Sequence, residues 1–211
     1  MADDLLFVLS SPGSVPLAEF NDWYDSEHVP ARLATPGFGA IARYRACDGL
    51  VPEWLGTYEI TPGLLATPAY RAVVENGSAR EKSIAAAVAV QDRRVYSLLS
   101  DSGPAAVSGA APVLMAVSMS VPAAAEDDMT AWYDEEHIPM LLAVPGWRRC
   151  RRFTLRSGDA PRFLSLHEIE SQAAFDEPAY KAAVTTPWRN RVVESATERE
   201  KRVFDLYKSY R

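Results

Sequence analysis

The sequence predicts an α+β fold: two ferredoxin-like βαββαβ repeats that close into one α/β barrel within a single chain. Three observations carry that expectation. WYDSEHVPARLATPG at 23–37 recurs as WYDEEHIPMLLAVPG at 132–146, with ten of fifteen positions identical at an offset of 109. The same offset superposes Leu5 on Leu114, Leu55 on Leu164 and Glu59 on Glu168, while PAY at 68–70 recurs at 178–180 and RRVYSL at 93–98 as KRVFDL at 201–206. Between the copies, DSGPAAVSGAAP at 101–112 is small and polar and has the composition of a linker. The expected division is therefore a first repeat at 1–103 and a second at 104–211, each of ordinary domain size.

Each copy yields the same elements in the same order. Apolar runs at 5–10 and 113–118 suit a buried first strand. An amphipathic helix follows, stopped by the repeated Pro-Gly at 36–37 and 145–146. Strands are expected at 38–46 and 53–60, and at 147–156 and 162–169. A second helical region follows PAY. Its later part opens at Ser78-Ala79-Arg80-Glu81, a capping box, and in the other copy at Thr186-Pro187, an N-cap followed by proline at the first helical position. Last strands are expected at 94–99 and 202–207. Helices on one face of a four-stranded sheet leave the other face bare, and two such faces can cover one another.

Composition limits the function classes. Lys plus Arg is 22 against 28 Asp plus Glu, a net charge of −6, and 48% of the 211 residues are apolar. That is a globular composition, without the basic excess that displaces counterions from nucleic acid. No apolar run reaches the length of a membrane helix, and Met-Ala-Asp-Asp lacks the positive opening of a secretory signal. We expect no nucleic-acid partner, no membrane and a cytoplasmic location. Two cysteines make neither a disulfide framework nor a metal cage, and Cys47 and Cys150 are expected to be buried thiols. Neither a glycine-rich phosphate loop nor a G-x-S-x-G turn is present, and no metal is expected.

The repeated helix carries the candidate chemistry. Steps of about 100° from Leu17 place Phe20, Tyr24 and His28 on one stripe, with Trp23 and Asp25 on its flanks and Ser26 toward water. Met129, Tyr133 and His137 repeat the stripe. Pro30 and Pro139 are expected to end the helix at about Val29 and its counterpart, leaving His28 beside free carbonyls at a helix C-terminus. Two of the three histidines in the chain occupy this one site. They either fasten the helix as satisfied core groups or act as titratable groups in a pocket.

The halves also differ. His167 stands where the first copy has Tyr58, and Trp188 where it has a break at Asn76-Gly77. A period of two puts Arg149 and Arg151 on one face with Trp147 and Phe153, against Phe38, Ala40, Ala42 and Tyr44 in the first copy. Such arginines either hold an anionic substrate group or pair with carboxylates.

These two motifs, each followed by strand patterns and PAY, resemble the EthD-like branch of the dimeric α/β-barrel superfamily, once per half over nearly the whole chain. The resemblance implies a pseudo-dimer inside one chain, which could associate further as a homodimer, and a small-molecule substrate without a cofactor. Carried over residue by residue, it implies His28 and His137 as acid/base groups with Tyr24 and Tyr133 beside them; the difference between the halves adds His167, on the third strand, as a further catalytic candidate. Trp23, Trp132, Tyr58, Asp25, Asp134, Trp188 and Arg149 are the accompanying candidates for substrate contact. The leading expectation is a lyase, dehydratase, decarboxylase, cyclase or isomerase acting on a small aromatic or polyketide-like compound. The alternatives are a cofactor-free monooxygenase on a phenol, a non-catalytic ligand-binding or stress-type barrel and, more remotely, a haem-binding barrel.

Overall fold

The computed structural model describes residues 3–103 and 109–210. Residues 104–108 of the linker, and with them the boundary expected at 103/104, lie outside the described residues. In chain order the first half comprises β1 (Asp4–Ser11), α1 (Leu17–Trp23), a π turn at Tyr24–His28, α2 (Val29–Leu33), β2 (Phe38–Ala46), β3 (Trp54–Ile60), α3 (Pro68–Glu75), α4 (Ala79–Ala87) and β4 (Val90–Ser102). The second repeats it as β5 (Val113–Ser120), α5 (Glu126–Trp132), a π turn at Tyr133–His137, α6 (Ile138–Leu142), β6 (Trp147–Ser157), β7 (Phe163–Ile169), α7 (Pro178–Ala183), α8 (Pro187–Ser195) and β8 (Glu198–Tyr210). The strands join in the order β1-β3-β2-β8-β5-β7-β6-β4 as a closed barrel, the expected pseudo-dimeric α/β barrel. The last strands are longer than expected, at 13 residues each. Two compact units divide the chain. One is the chain through Ser97 with Arg156–Asp159 and the segment from Tyr207; the other is Leu98–Leu155 with Ala160–Leu206.

The repeated helix does not end at its proline. The Val29 N–H bonds to the Tyr24 carbonyl, and the Ile138 N–H to the Tyr133 carbonyl, each five residues back. A proline inside an α-helix lacks a donor and crowds the carbonyl four residues earlier. One wide turn relieves both problems, and the chain stays helical through Pro30 and Pro139. His28 and His137 therefore close a π turn in the helix interior, not at a C-terminus, so burial rather than the helix dipole governs their charge.

The stripe differs from the sequence expectation at both edges. Leu17, at the first position, overhangs the sheet and is 45% exposed. Trp23 is buried because α4 packs over that flank. A bulge in each second strand also resets the alternation, between Phe38 and Ile41 and between Trp147 and Arg149. One extra residue moves Trp147 onto the face of Cys150 and His167, opposite the face of Arg149 and Arg151. The face expected to hold Phe38 with Ala40, Ala42 and Tyr44 is divided in the same way: Phe38 packs with Tyr58 and Tyr70 instead. Of the cysteines, Cys150 is buried but Cys47 is exposed, contrary to expectation.

After each bulge the second helix-facing position, two residues past Ile41 and Cys150, is arginine. Arg43 is buried, with its guanidinium 3.9 Å from the Tyr24 ring centroid and 4.7 Å from that of Trp54. Its Nη2 donates to Asn21 Oδ1 at 2.9 Å. Arg152 lies 4.3 Å from the Tyr133 ring and donates to Asp134 Oδ1 at 3.1 Å. Each arginine clamps the aromatic helix to its sheet by stacking on a tyrosine face. Arg43→Ala is expected to lower stability by roughly 2–4 kcal/mol. Arg43→Met, which keeps the volume, should lose less than half of that, as read from urea denaturation.

Candidate functional site

In both halves a hydroxyl caps the later helix and ties it to the π turn. Ser78 Oγ accepts from the Glu81 N–H at 3.0 Å and donates to Glu27 at 2.6 Å. Thr186 Oγ1 accepts from the Arg189 N–H at 3.1 Å and donates to Glu136 at 2.6 Å. The frame is the same, so Glu81 and Arg189 occupy equivalent positions, three residues past the cap. They carry opposite charges there.

In the first half, the Glu81 side chain leaves its capping box and turns inward. It accepts from Trp23 Nε1 at 2.5 Å, from His28 Nδ1 at 3.0 Å and from Arg32 at 3.3 Å. Burial would raise the Glu81 carboxyl, but its hydrogen bond from His28, the His28 and Arg32 charges and the Trp23 bond together hold it down at about 2. Burial pushes His28 down to about 4, with the hydrogen bond to Glu81 opposing. At neutral pH the carboxylate is therefore ionised and the imidazole neutral, with its proton on Nδ1. Tyr58 is fully buried, hydrogen-bonded to Tyr24, and burial raises its pKa. The imidazole of this half is thus a satisfied core group. A groove of about 400 Å³ lies outside it, lined by Arg32, Ala72, Asn76 and Glu81 among others.

The second half has no carboxylate at that position. Trp132 Nε1, His137 Nδ1 and His167 Nδ1 are buried without a hydrogen-bond partner among the described residues. Trp132, His137 and His167 line a cavity of about 210 Å³ with Tyr133 and Tyr180. Arg189, Arg199 and Lys201 also line it, and no described carboxylate does. Burial lowers His137 to about 4, with a hydrogen bond to the Ala183 backbone opposing and the Arg189 charge adding to the shift, and lowers His167 to about 3, with the His137 charge adding to it. Both rings are neutral at physiological pH. Burial also raises the Tyr133 hydroxyl, which bonds to Ser165, and lowers Arg189. Lys201 Nζ donates to the Tyr180 hydroxyl at 3.4 Å.

The structure thus brings His137, His167, Trp132 and Tyr133 together at one cavity. It places the other candidates elsewhere. Asp25 bonds to Lys208 at 2.8 Å and to Tyr210, and Asp134 holds Arg152. Trp188 Nε1 donates to Asp128 at 3.0 Å, joining α8 to α5. Arg149 pairs with Asp101 at 2.5 Å and with Glu168 at 3.5 Å on the far face of the sheet. Sequence reasoning missed Glu81, visible there only as a capping residue, and Arg189. Superposing Ser78 on Thr186 would have exposed the charge reversal. Among the described residues no group of three or more His, Cys, Asp or Glu side chains is placed to hold a metal ion.

No family model and no curated protein matches the chain. Solved structures do. An anthrone oxidase-like protein is 12% identical with a TM-score of 0.65, covering 98% of this chain and 92% of its own. A candidate monooxygenase from Fusobacterium nucleatum is 6% identical at the same TM-score and coverage. A heme-degrading enzyme from Listeria monocytogenes is 11% identical with a TM-score of 0.51, covering 95% of this chain and 98% of its own. These likenesses show the fold, that of the dimeric α/β barrel.

The three histidines predict an acid-labile protein. Their folded values lie near 4, 4 and 3 against an ordinary 6.5, so the unfolded chain binds more protons below neutrality. Their contribution is fully present above about pH 6.5 and is lost as pH falls toward 4, at roughly 1–3 kcal/mol per histidine. Melting temperature followed from pH 8 to pH 4 should fall in that window, and His167→Asn should make the slope shallower.

Proposed function

We propose that the chain is a small-molecule enzyme acting without an organic cofactor or metal, with its chemistry in the second half. It would be a tandem EthD-like barrel with repeats at 1–103 and 104–211, working in the cytoplasm. The observation that carries this reading is the pair of neutral, buried imidazoles with unpartnered Nδ1 atoms at one cavity. An unprotonated imidazole accepts a proton, and Trp132 and Tyr133 supply apolar cavity walls against which a ring can pack. Cavities of about 150 Å³ hold benzene, so this one suits a substituted single ring. A haem does not fit a space on that scale, and no step is routed through one.

His137 is the general base on an acidic C–H or O–H of the substrate, with His167 beside it. Proton transfer leaves an imidazolium next to the anion it created, an ion pair at short range. Arg189 and Lys201 face the developing oxyanion. The Tyr133 hydroxyl is engaged by Ser165, so that tyrosine shapes the wall and orients the helix. Return of the proton to a leaving oxygen or to a different carbon makes a lyase or isomerase.

A second reading, a cofactor-free monooxygenase, is favoured by the anthrone oxidase-like and monooxygenase neighbours. The same first step would give an electron-rich anion that reduces dioxygen, with one oxygen atom entering the product and the other leaving as water. Oxygen consumption during turnover separates the two readings. The test of both is a panel of single-ring phenols and aryl ketones followed for deuterium uptake in D2O and for oxygen use. His137→Gln should lower any turnover found by about 10²–10⁴-fold, and His28→Gln should leave it intact. Undiminished turnover in His137→Gln would contradict the proposal.

A further inference from the structure

We infer that the second-half cavity is built for an aromatic carboxylic acid, whose carboxylate occupies the place that the Glu81 carboxylate fills in the first half. The inference rests on the substrate cavity described above and names its substrate class.

Duplication supplies the template. In the first half, one carboxylate accepts from an indole N–H and an imidazole Nδ1, and is further held by a guanidinium. The second half retains the indole and the imidazole, as Trp132 and His137, on the same π turn and under the same hydroxyl-capped helix. Both are more than nine-tenths buried, and their nitrogens Nε1 and Nδ1 have no partner. The His137 ring also hydrogen-bonds to the Ala183 backbone, so the indole N–H is the unpaired donor, which is unfavourable unless something accepts from it. The position that carried the internal carboxylate now carries Arg189, whose guanidinium donates only to Asn190, at 3.2 Å, among the described residues. An acid and a base have exchanged, so the missing acceptor must come from outside the chain. Arg189, Arg199 and Lys201 at a cavity without a described carboxylate give it a positive potential that selects an anion. Trp132, Tyr133 and Met115 supply the apolar wall for the ring. In the first half Glu81 is its own ligand, and the corresponding site is closed.

Phenylacetate and its neutral isostere phenylacetamide are suitable probes, titrated into the full chain by calorimetry and by the indole N–H resonances. Phenylacetate should bind about 10- to 100-fold more tightly than phenylacetamide, as a charged hydrogen-bonded group does over a neutral one. It should shift one indole resonance, which is absent in Trp132→Phe. Arg189→Glu restores the internal carboxylate. It should fold with unchanged circular dichroism and lose phenylacetate binding at least 30-fold, while Arg189→Gln gives an intermediate loss and Glu81→Gln gives none. Equal binding of the amide, no binding up to about 10 mM, or full affinity in Arg189→Glu would overturn the inference. Phenylacetate bound as expected without turnover of any carbon acid would leave this inference standing and sink the catalytic proposal. Turnover of neutral ketones with no phenylacetate binding would do the reverse.

Discussion

A neutral imidazole buried beneath an aromatic helix is the constraint from which the architecture of each half follows. Taking a titratable ring out of water is unfavourable for its charged form, and its polar nitrogens still require partners. The first half meets that requirement from within. Glu81 reaches across from α4 and satisfies His28, Trp23 and Arg32 with one carboxylate. In the second half Trp132 and His137 line a cavity, and their Nε1 and Nδ1 atoms are buried without a partner among the described residues. The difference between a fastened core and a candidate site therefore lies in the few side chains that face the imidazole, Glu81 first among them.

The surrounding frame is what duplication has kept. Arginine stacks on the helix tyrosine in both halves, a hydroxyl caps the later helix in both, and a π turn takes up the proline in both. These features fix the direction in which each imidazole points. Change has concentrated on the residues that face the imidazole: Tyr58 against His167, and Glu81 against Arg189. A duplicated fold allows this, since one copy can carry stability while the other gives up some of it for an open cavity.

Repeat, element order and the inward stripe were legible in the sequence because each depends on periodicity and recurrence, which survive without coordinates. The π turn was not legible. Proline predicts helix disruption, and only packing on both sides of Pro30 makes one widened turn preferable to an end. The bulges at 38–41 and 147–149 were hidden for a related reason, since an inserted residue leaves no compositional mark while reversing every facing before it. That is why Arg149 looked like a partner of Trp147 and lies opposite it. Glu81 was read as a cap because its local spacing fits one. Its actual role depends on Trp23 and His28, more than fifty residues away.

Nitrogen-15 NMR of the histidine rings tests the central claim most directly. Between pH 8 and pH 5 all three rings should remain neutral, with the His28 proton fixed on Nδ1 by Glu81 and that preference lost when Glu81 is replaced by glutamine. Rings that titrate together near 6.5, as solvent-exposed imidazoles do, would contradict the account.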